Sequence, residues 1–159
     1  MIQFIRQNRR LPNGRVTCLE IIKHPGAVLV VPFLSKDKII FIKQFRPVIN
    51  AYICELPAGT LKKNERPRNC AQREMIEEIG YSAGQLTRLG KIVPVPGYST
   101  EVITIFKAEN LKKQHATHQE PDEIIKLCPF DRSMVQNLFR QRKITDAKTI
   151  CALAYCGWI

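Results

Sequence analysis

The chain has 159 residues, 45% of them hydrophobic, enough for one compact domain with its own core. Its apolar runs stop well short of the roughly 20 residues needed to cross a bilayer. A net charge of +11 favours an anionic partner, which by charge alone can be nucleic acid, a membrane surface or a small phosphorylated substrate. The cations are scattered in short clusters such as Arg9-Arg10, Lys62-Lys63 and Lys112-Lys113. They form no RNA-recognition signature, helix-turn-helix pattern or basic arm, so neither a nucleic-acid nor a membrane partner is expected. The opening residues turn polar too early for a signal peptide, which points to the cytoplasm. The six cysteines have irregular spacing and no CxxC pair, so reduced structural thiols are expected.

In chain order, a turn at Pro12-Asn13-Gly14 precedes a loosely alternating strand over 16–23. Residues 27–33 are a continuous β-branched run, the pattern of a strand buried on both faces. A turn over 35–38 leads back through a strand over 38–45, forming a hairpin, and a short strand over 52–56 ends at Pro57. Pro67 suits the first turn of a helix, having no amide hydrogen to leave unpaired there. That helix is predicted to run to Ile79 and to stop at Gly80, a C-terminal cap. Strands follow over 86–93, 102–108 and 124–129. Two helices close the chain, over 132–141 and 146–155, the second with Thr145 or Asp146 as N-cap. The expectation is a mixed α+β fold in one domain, residues 1–159, not a regular βαβ alternation.

The segment GTLKKNERPRNCAQREMIEEIGY, residues 59–81, carries the chemistry. Gly59 is followed after five residues by Glu65, after seven more by Arg73-Glu74, then by Glu77-Glu78 and Gly80. On a helix, residues three and four apart share a face, so Glu74 lines up with Glu77 and Glu78. Crowded carboxylates repel, and either solvent or a cation must relieve them. A hard divalent ion takes oxygen ligands and bridges them to substrate phosphates. Taken alone, REMIEE also reads as a solvated helix face; the upstream Gly59 and Glu65 and the terminal Gly80 set the segment apart.

The segment resembles the Nudix box at every fixed position, with Tyr81 in place of the final aliphatic residue. The resemblance implies a Nudix fold, a mixed β-sheet sandwiched between α-helices. It further implies Mg²⁺-dependent, or Mn²⁺-dependent, hydrolysis of a nucleoside diphosphate linked to another group. Carried over, Glu74 and Glu78 would be the main metal ligands, Glu77 would ligate or orient a metal or water, and the Ala58 carbonyl would add a ligand. Arg73 would brace the cluster by pairing with Glu65.

Segments outside the box resemble the ADP-ribose pyrophosphatase subgroup. They are Leu11-Pro12-Asn13-Gly14, His24 to Val28, Gln44-Phe45-Arg46-Pro47, Glu55 to Gly59, Pro96 sixteen residues after Gly80, and Ile144 to Thr149. By that similarity Arg46 and Glu55 would hold the adenosine half or its ribose and phosphates. Pro96 and Gly97, in the turn running to Glu101, would sit beside the terminal ribose. The catalytic base would come from the acidic stretch Glu120 to Glu123, with Glu123 the first choice and Glu120 the second. His24, His115 and His118 lack partners at ligand spacing and read as bystanders. The resemblance implies a homodimer, although the chain begins about ten residues before LPNG, where family members commonly carry a longer, exchanged segment. The expected reaction is ADP-ribose to AMP and ribose 5-phosphate. The alternatives are another nucleoside diphosphate sugar such as GDP-mannose, or NADH, and, from a different class, a non-catalytic ADP-ribose or nucleic-acid binding module.

Overall fold

The computed structural model describes residues 2–114 and 125–159. Strand β1 (Gln3–Arg10) pairs antiparallel with β2 (Val16–Lys23), from Gln3 against Lys23 to Arg10 against Val16, as a separate two-stranded sheet. The sequence reading does not anticipate β1. QFIRQNRR is largely polar and almost wholly exposed, so it has no buried face to impose an alternation. Its pairing with β2 follows from the turn at Gly14, whose φ of +81° suits glycine.

The main sheet is built on β3 (Ala27–Ser35) and β4 (Lys38–Arg46), the expected hairpin. It adds β5 (Ala51–Glu55), β6 (Ala58–Thr60), β7 (Tyr81–Ile92), β8 (Ile103–Lys113) and β9 (Ile125–Asp131). The order is β5-β4-β3-β8-β7, with β6 also on β3 and β9 also on β4. Among the described strand pairs of this sheet, β3 and β8 run parallel and the others antiparallel. The β3–β4 ladder is short, holding at Phe33–Ile39 and Ser35–Lys38. Beyond it β4 pairs with β5 and β9, while the start of β3 pairs with β6 and β8. The two strands of the hairpin therefore part company, and a cleft opens between the start of β3 and the end of β4.

Strand β3 feeds two cores because successive side chains point to opposite faces. Ala27, Leu29 and Val31 join Ile39, Phe41 and Ile105 beneath α2 (Arg132–Arg140) and α3 (Ala147–Tyr155), with Val135, Leu153 and Trp158. Val28 and Val30 join Ile40, Ile42 and Phe106 beneath α1 (Pro67–Glu74), with Cys70, Ala71 and Met75. Helices thus cover both faces of the sheet, as the sequence implies. Asp131 and Asp146 cap α2 and α3 by accepting from the Met134 and Thr149 amides, which settles the second cap in favour of Asp146. All six cysteines are free thiols.

The helix after Pro67 departs from the regular helix expected. It is α-helical to Glu74 and then widens into a π turn over Met75–Ile79. The buried positions explain this. They fall in the pairs 70–71, 74–75 and 78–79, a repeat of four, whereas an α-helix repeats every 3.6 residues. The wider turn takes up the difference and keeps the third pair on the sheet. Gly80 then ends the helix at φ +70°, its amide bonded to the Ile76 carbonyl.

Candidate active site

Strand β6 runs beside the box helix, and the contact between them is close. A Cβ on Gly59 would lie 1.8 Å from Glu74 Oε1. No side chain fits there, so the glycine that opens the motif is required by the approach of that carboxylate. On the next turn Glu78 Oε2 accepts the Ala58 amide at 3.0 Å. Glu74 and Glu78 are 9% and 4% exposed, whereas the Glu77 side chain keeps 35% of its surface. The three carboxylates expected on one face are thus divided, two inward and one at the rim.

Arg73 organises the rim. It donates to Glu65 Oε1 and Oε2 at 2.9 Å each, to Glu74 Oε1 at 2.6 Å and to Glu77 Oε2 at 2.8 Å. The bidentate bond from Arg73 holds the Glu65 carboxyl down at about 2, against an ordinary 4.5. Its hydrogen bonds to Glu65 first, and then to Glu77, raise the Arg73 pKa against the effect of its burial. Cys70 lies beneath, its sulfur 3.3 Å from Arg73 Nη2. Burial pushes its thiol up to about 12, so it stays neutral.

A second network stands across the cleft. Glu55, 2% exposed, receives Arg46 Nε at 3.2 and 3.1 Å, Arg46 Nη2 at 2.5 Å and Lys148 Nζ at 3.1 Å. Lys148 also binds Asp146 at 2.8 Å. Partial burial alone would lower the Arg46 pKa, but the bonds and charge of Glu55, with Glu78 and Asp146 beyond, raise it. Thr149 ties α3 to the same region by accepting the Leu56 amide at 3.0 Å.

The cleft between these networks encloses about 230 Å³ and is lined by Ala58, Gly59, Thr60, Arg46, Lys148 and Glu101 over a floor that includes Val28 and Ile103. Arg46 and Ala58 are therefore brought together. Glu55 lies behind the lining and holds its two cations. Pro96 and Gly97 are exposed and do not line the cleft; Glu101, from the end of the same turn, does. Sequence reasoning missed Lys148 and did not single out Glu101, though both lie in segments it had marked, ITDAKT and PGYSTE. His24, read as a bystander, has a buried ring whose Nε2 lies 3.7 Å from Glu101 Oε1. Glu120, Glu123, His115 and His118 lie outside the described residues.

Among the described residues no three Asp, Glu, His or Cys side chains are gathered as a closed ligand set, and Arg73 holds Glu74 Oε1 and Glu77 Oε2. The chemistry of the donors nonetheless suits a hard divalent cation. Two buried carboxylates, all-oxygen donors, meet a glycine-lined strand that leaves room for them.

The chain matches the NUDIX domain family over residues 23–152. It is 36% identical over 156 residues to an ADP-ribose pyrophosphatase of Bacillus subtilis, covering 98% of this chain and 84% of that protein. It is also 36% identical to a methanol dehydrogenase activator of Bacillus methanolicus, covering 91% and 79%. A GDP-mannose pyrophosphatase of Shigella flexneri is 30% identical, covering 86% and 79%. Among solved structures, one titled ADP compounds hydrolase superposes with a TM-score of 0.84 at 23% identity, covering 98% of this chain and 84% of that one, which speaks for the fold alone. This chain belongs to the Nudix family. Hydrolases of that family generally use divalent metal ions, the kind of group that the oxygen donors above suit.

Proposed function

We propose that the protein hydrolyses the diphosphate bond of ADP-ribose, giving AMP and ribose 5-phosphate, with Mg²⁺ as cofactor and Mn²⁺ as a substitute. The observation that carries this reading is the cleft, where Ala58–Thr60, the strand on which the box opens, face the cations Arg46 and Lys148 and the carboxylate Glu101. Glu74 and Glu78, with Glu77 and the Ala58 carbonyl, would hold the metal, which offsets phosphate charge and lowers the pKa of water. Arg46 and Lys148 draw the diphosphate across the cleft, and Glu55 fixes both cations so that neither has to be ordered at binding. Arg73 positions Glu74 and Glu77. Water forms a new bond to one phosphorus, the bridging P–O bond breaks, and two phosphate monoesters leave. Glu123, or failing it Glu120, takes the proton from the water in this reading.

The rest of the reading is a homodimer of single Nudix domains in the cytoplasm, acting on a small molecule and not on nucleic acid or membranes. The exposed apolar side chains Ile2 and Phe4, two residues apart where β1 begins, support self-association. The 30% identical GDP-mannose relative supports a second reading, in which another nucleoside diphosphate sugar is the substrate. A hydrolysis panel with Mg²⁺ decides between them, comparing ADP-ribose, GDP-mannose, NADH, diadenosine polyphosphates and 8-oxo-dGTP. ADP-ribose is expected to have the highest kcat/KM; a place among the poorest substrates overturns the assignment.

A further inference from the structure

Glu101 is the one carboxylate lining the described cleft. A carboxylate repels phosphate, so the complementary group on a nucleoside diphosphate sugar is a sugar hydroxyl. Among the described residues the ring that meets its carboxylate is that of His24, with Nε2 3.7 Å from Oε1. We infer that His24 is a positioning residue that holds Glu101 in the cleft for hydroxyl binding; the inference rests on the reaction proposed above for its substrate.

The hydrogen bonding of the ring supports this. The Gly26 amide donates to His24 Nδ1 at 3.1 Å, so that nitrogen presents its lone pair and the ring's N–H is on Nε2. That hydrogen faces Glu101. The distance of 3.7 Å is an electrostatic contact and not yet a hydrogen bond, and such contacts commonly tighten when substrate binds.

The ring is also held independently of the carboxylate. Gly26 has φ +102°, and a Cβ there would meet Leu61 Cδ1 at 3.0 Å, so the corner between β2 and β3 is fixed. The backbone of His24 donates to Thr100 Oγ1 at 2.9 Å and accepts from the same hydroxyl at 3.4 Å. The Ile22 amide bonds the Tyr98 carbonyl at 2.7 Å, and the Thr100 amide bonds the Ile22 carbonyl at 3.0 Å. The end of β2 is thus zipped to the turn that delivers Glu101. Because main chain anchors the ring, the imidazole steers the carboxylate and not the reverse, and replacing its side chain leaves the zip in place.

The test is a mutant cycle on the full chain, assayed by ADP-ribose hydrolysis. His24→Asn keeps an acceptor for the Gly26 amide but does not reach Glu101; His24→Gln places an amide N–H near the Nε2 position. His24→Asn is expected to raise KM about tenfold with kcat within about twofold, the pattern of a lost binding contact. His24→Gln recovers most of that loss, and in a Glu101→Gln background His24→Asn adds nothing further. An unchanged KM in His24→Asn, or a loss that adds to that of Glu101→Gln, overturns the inference. A wild-type enzyme that ignores ADP-ribose but cleaves another sugar of the panel overturns only the substrate reading, and the cycle is then run on that sugar. A wild-type enzyme inactive across the panel overturns both.

Discussion

Arg73 and Arg46 each sit among carboxylates, but in different company. Among the described residues Arg73 bonds Glu65, Glu74 and Glu77, and Glu78 follows on the next turn. Arg46 shares Glu55 with Lys148, and Lys148 holds Asp146. By these ion pairs the first network sets three carboxylates against one cation, and the second sets two against two. The acid-rich side is chemically suited to take up a cation. The balanced side has cations already fixed by buried acids, which suits it to receive an anion without first ordering its side chains. A diphosphate bound between the two would meet positive charge from both walls, one supplied by the chain and one by the cofactor.

The largest expected effect comes from breaking the acid-rich side. Glu78→Gln keeps the shape and removes the charge. If Glu78 is a metal ligand, kcat falls on the order of a thousandfold, and metal titration by calorimetry shows weaker binding. Full activity with unchanged metal affinity would contradict the site. Next comes Gly59→Ala, whose new methyl meets Glu74 Oε1 at 1.8 Å. Displacing a carboxylate by about an ångström costs roughly a hundredfold in rate, so kcat should fall while circular dichroism stays native. A variant as active as the parent would mean that the contact between Gly59 and Glu74 is irrelevant to catalysis.

On the balanced side, Lys148→Met keeps the aliphatic stem and removes the ammonium. KM should rise about tenfold, equivalent to about 1.4 kcal/mol, with a smaller change in kcat. Tm should also fall, because Glu55 loses one of two cationic partners in a buried setting. An unchanged KM would place the diphosphate elsewhere. The smallest effect is on pH dependence. Glu65 titrates near 2 when folded, against about 4.5 otherwise. Its pairing with Arg73 therefore stabilises the fold fully above about pH 4.5, and the contribution fades as pH falls toward 2. The stability gap between the parent and Glu65→Gln, measured by urea unfolding, should narrow over that interval. A gap that stays constant from pH 7 to 3 refutes the assignment.

What the sequence showed well was what depends on local repeats. The continuous run at Ala27 to Phe33, the cap at Gly80 and the starts of α2 and α3 were all legible, because burial and capping act within one turn or one strand. Strands β1 and β6 were not. The first is exposed on nearly all positions, and the second is three residues long and exists because β3 offers it a partner. The candidate site divides in the same way. Box spacing places Glu74 and Glu78 together, since they share one helix. Lys148 and Glu101 reach the cleft from α3 and a loop, His24 meets Glu101 from the corner before β3, and no local pattern connects segments so far apart in the chain.

The π turn at Met75–Ile79 bears on how the length of the box can change over evolutionary time. Removing one residue from that stretch would restore ordinary winding and set the buried pairs four and then three apart, a spacing that an α-helix also serves. Adding a further residue has no such outlet and turns everything beyond it by about 100°, swinging Glu78 off the Ala58 amide and Ile79 off the sheet. Point substitutions on the solvent side leave the winding alone. The widened turn is in this sense a spare link of coil, one the motif can lose more readily than it can gain another.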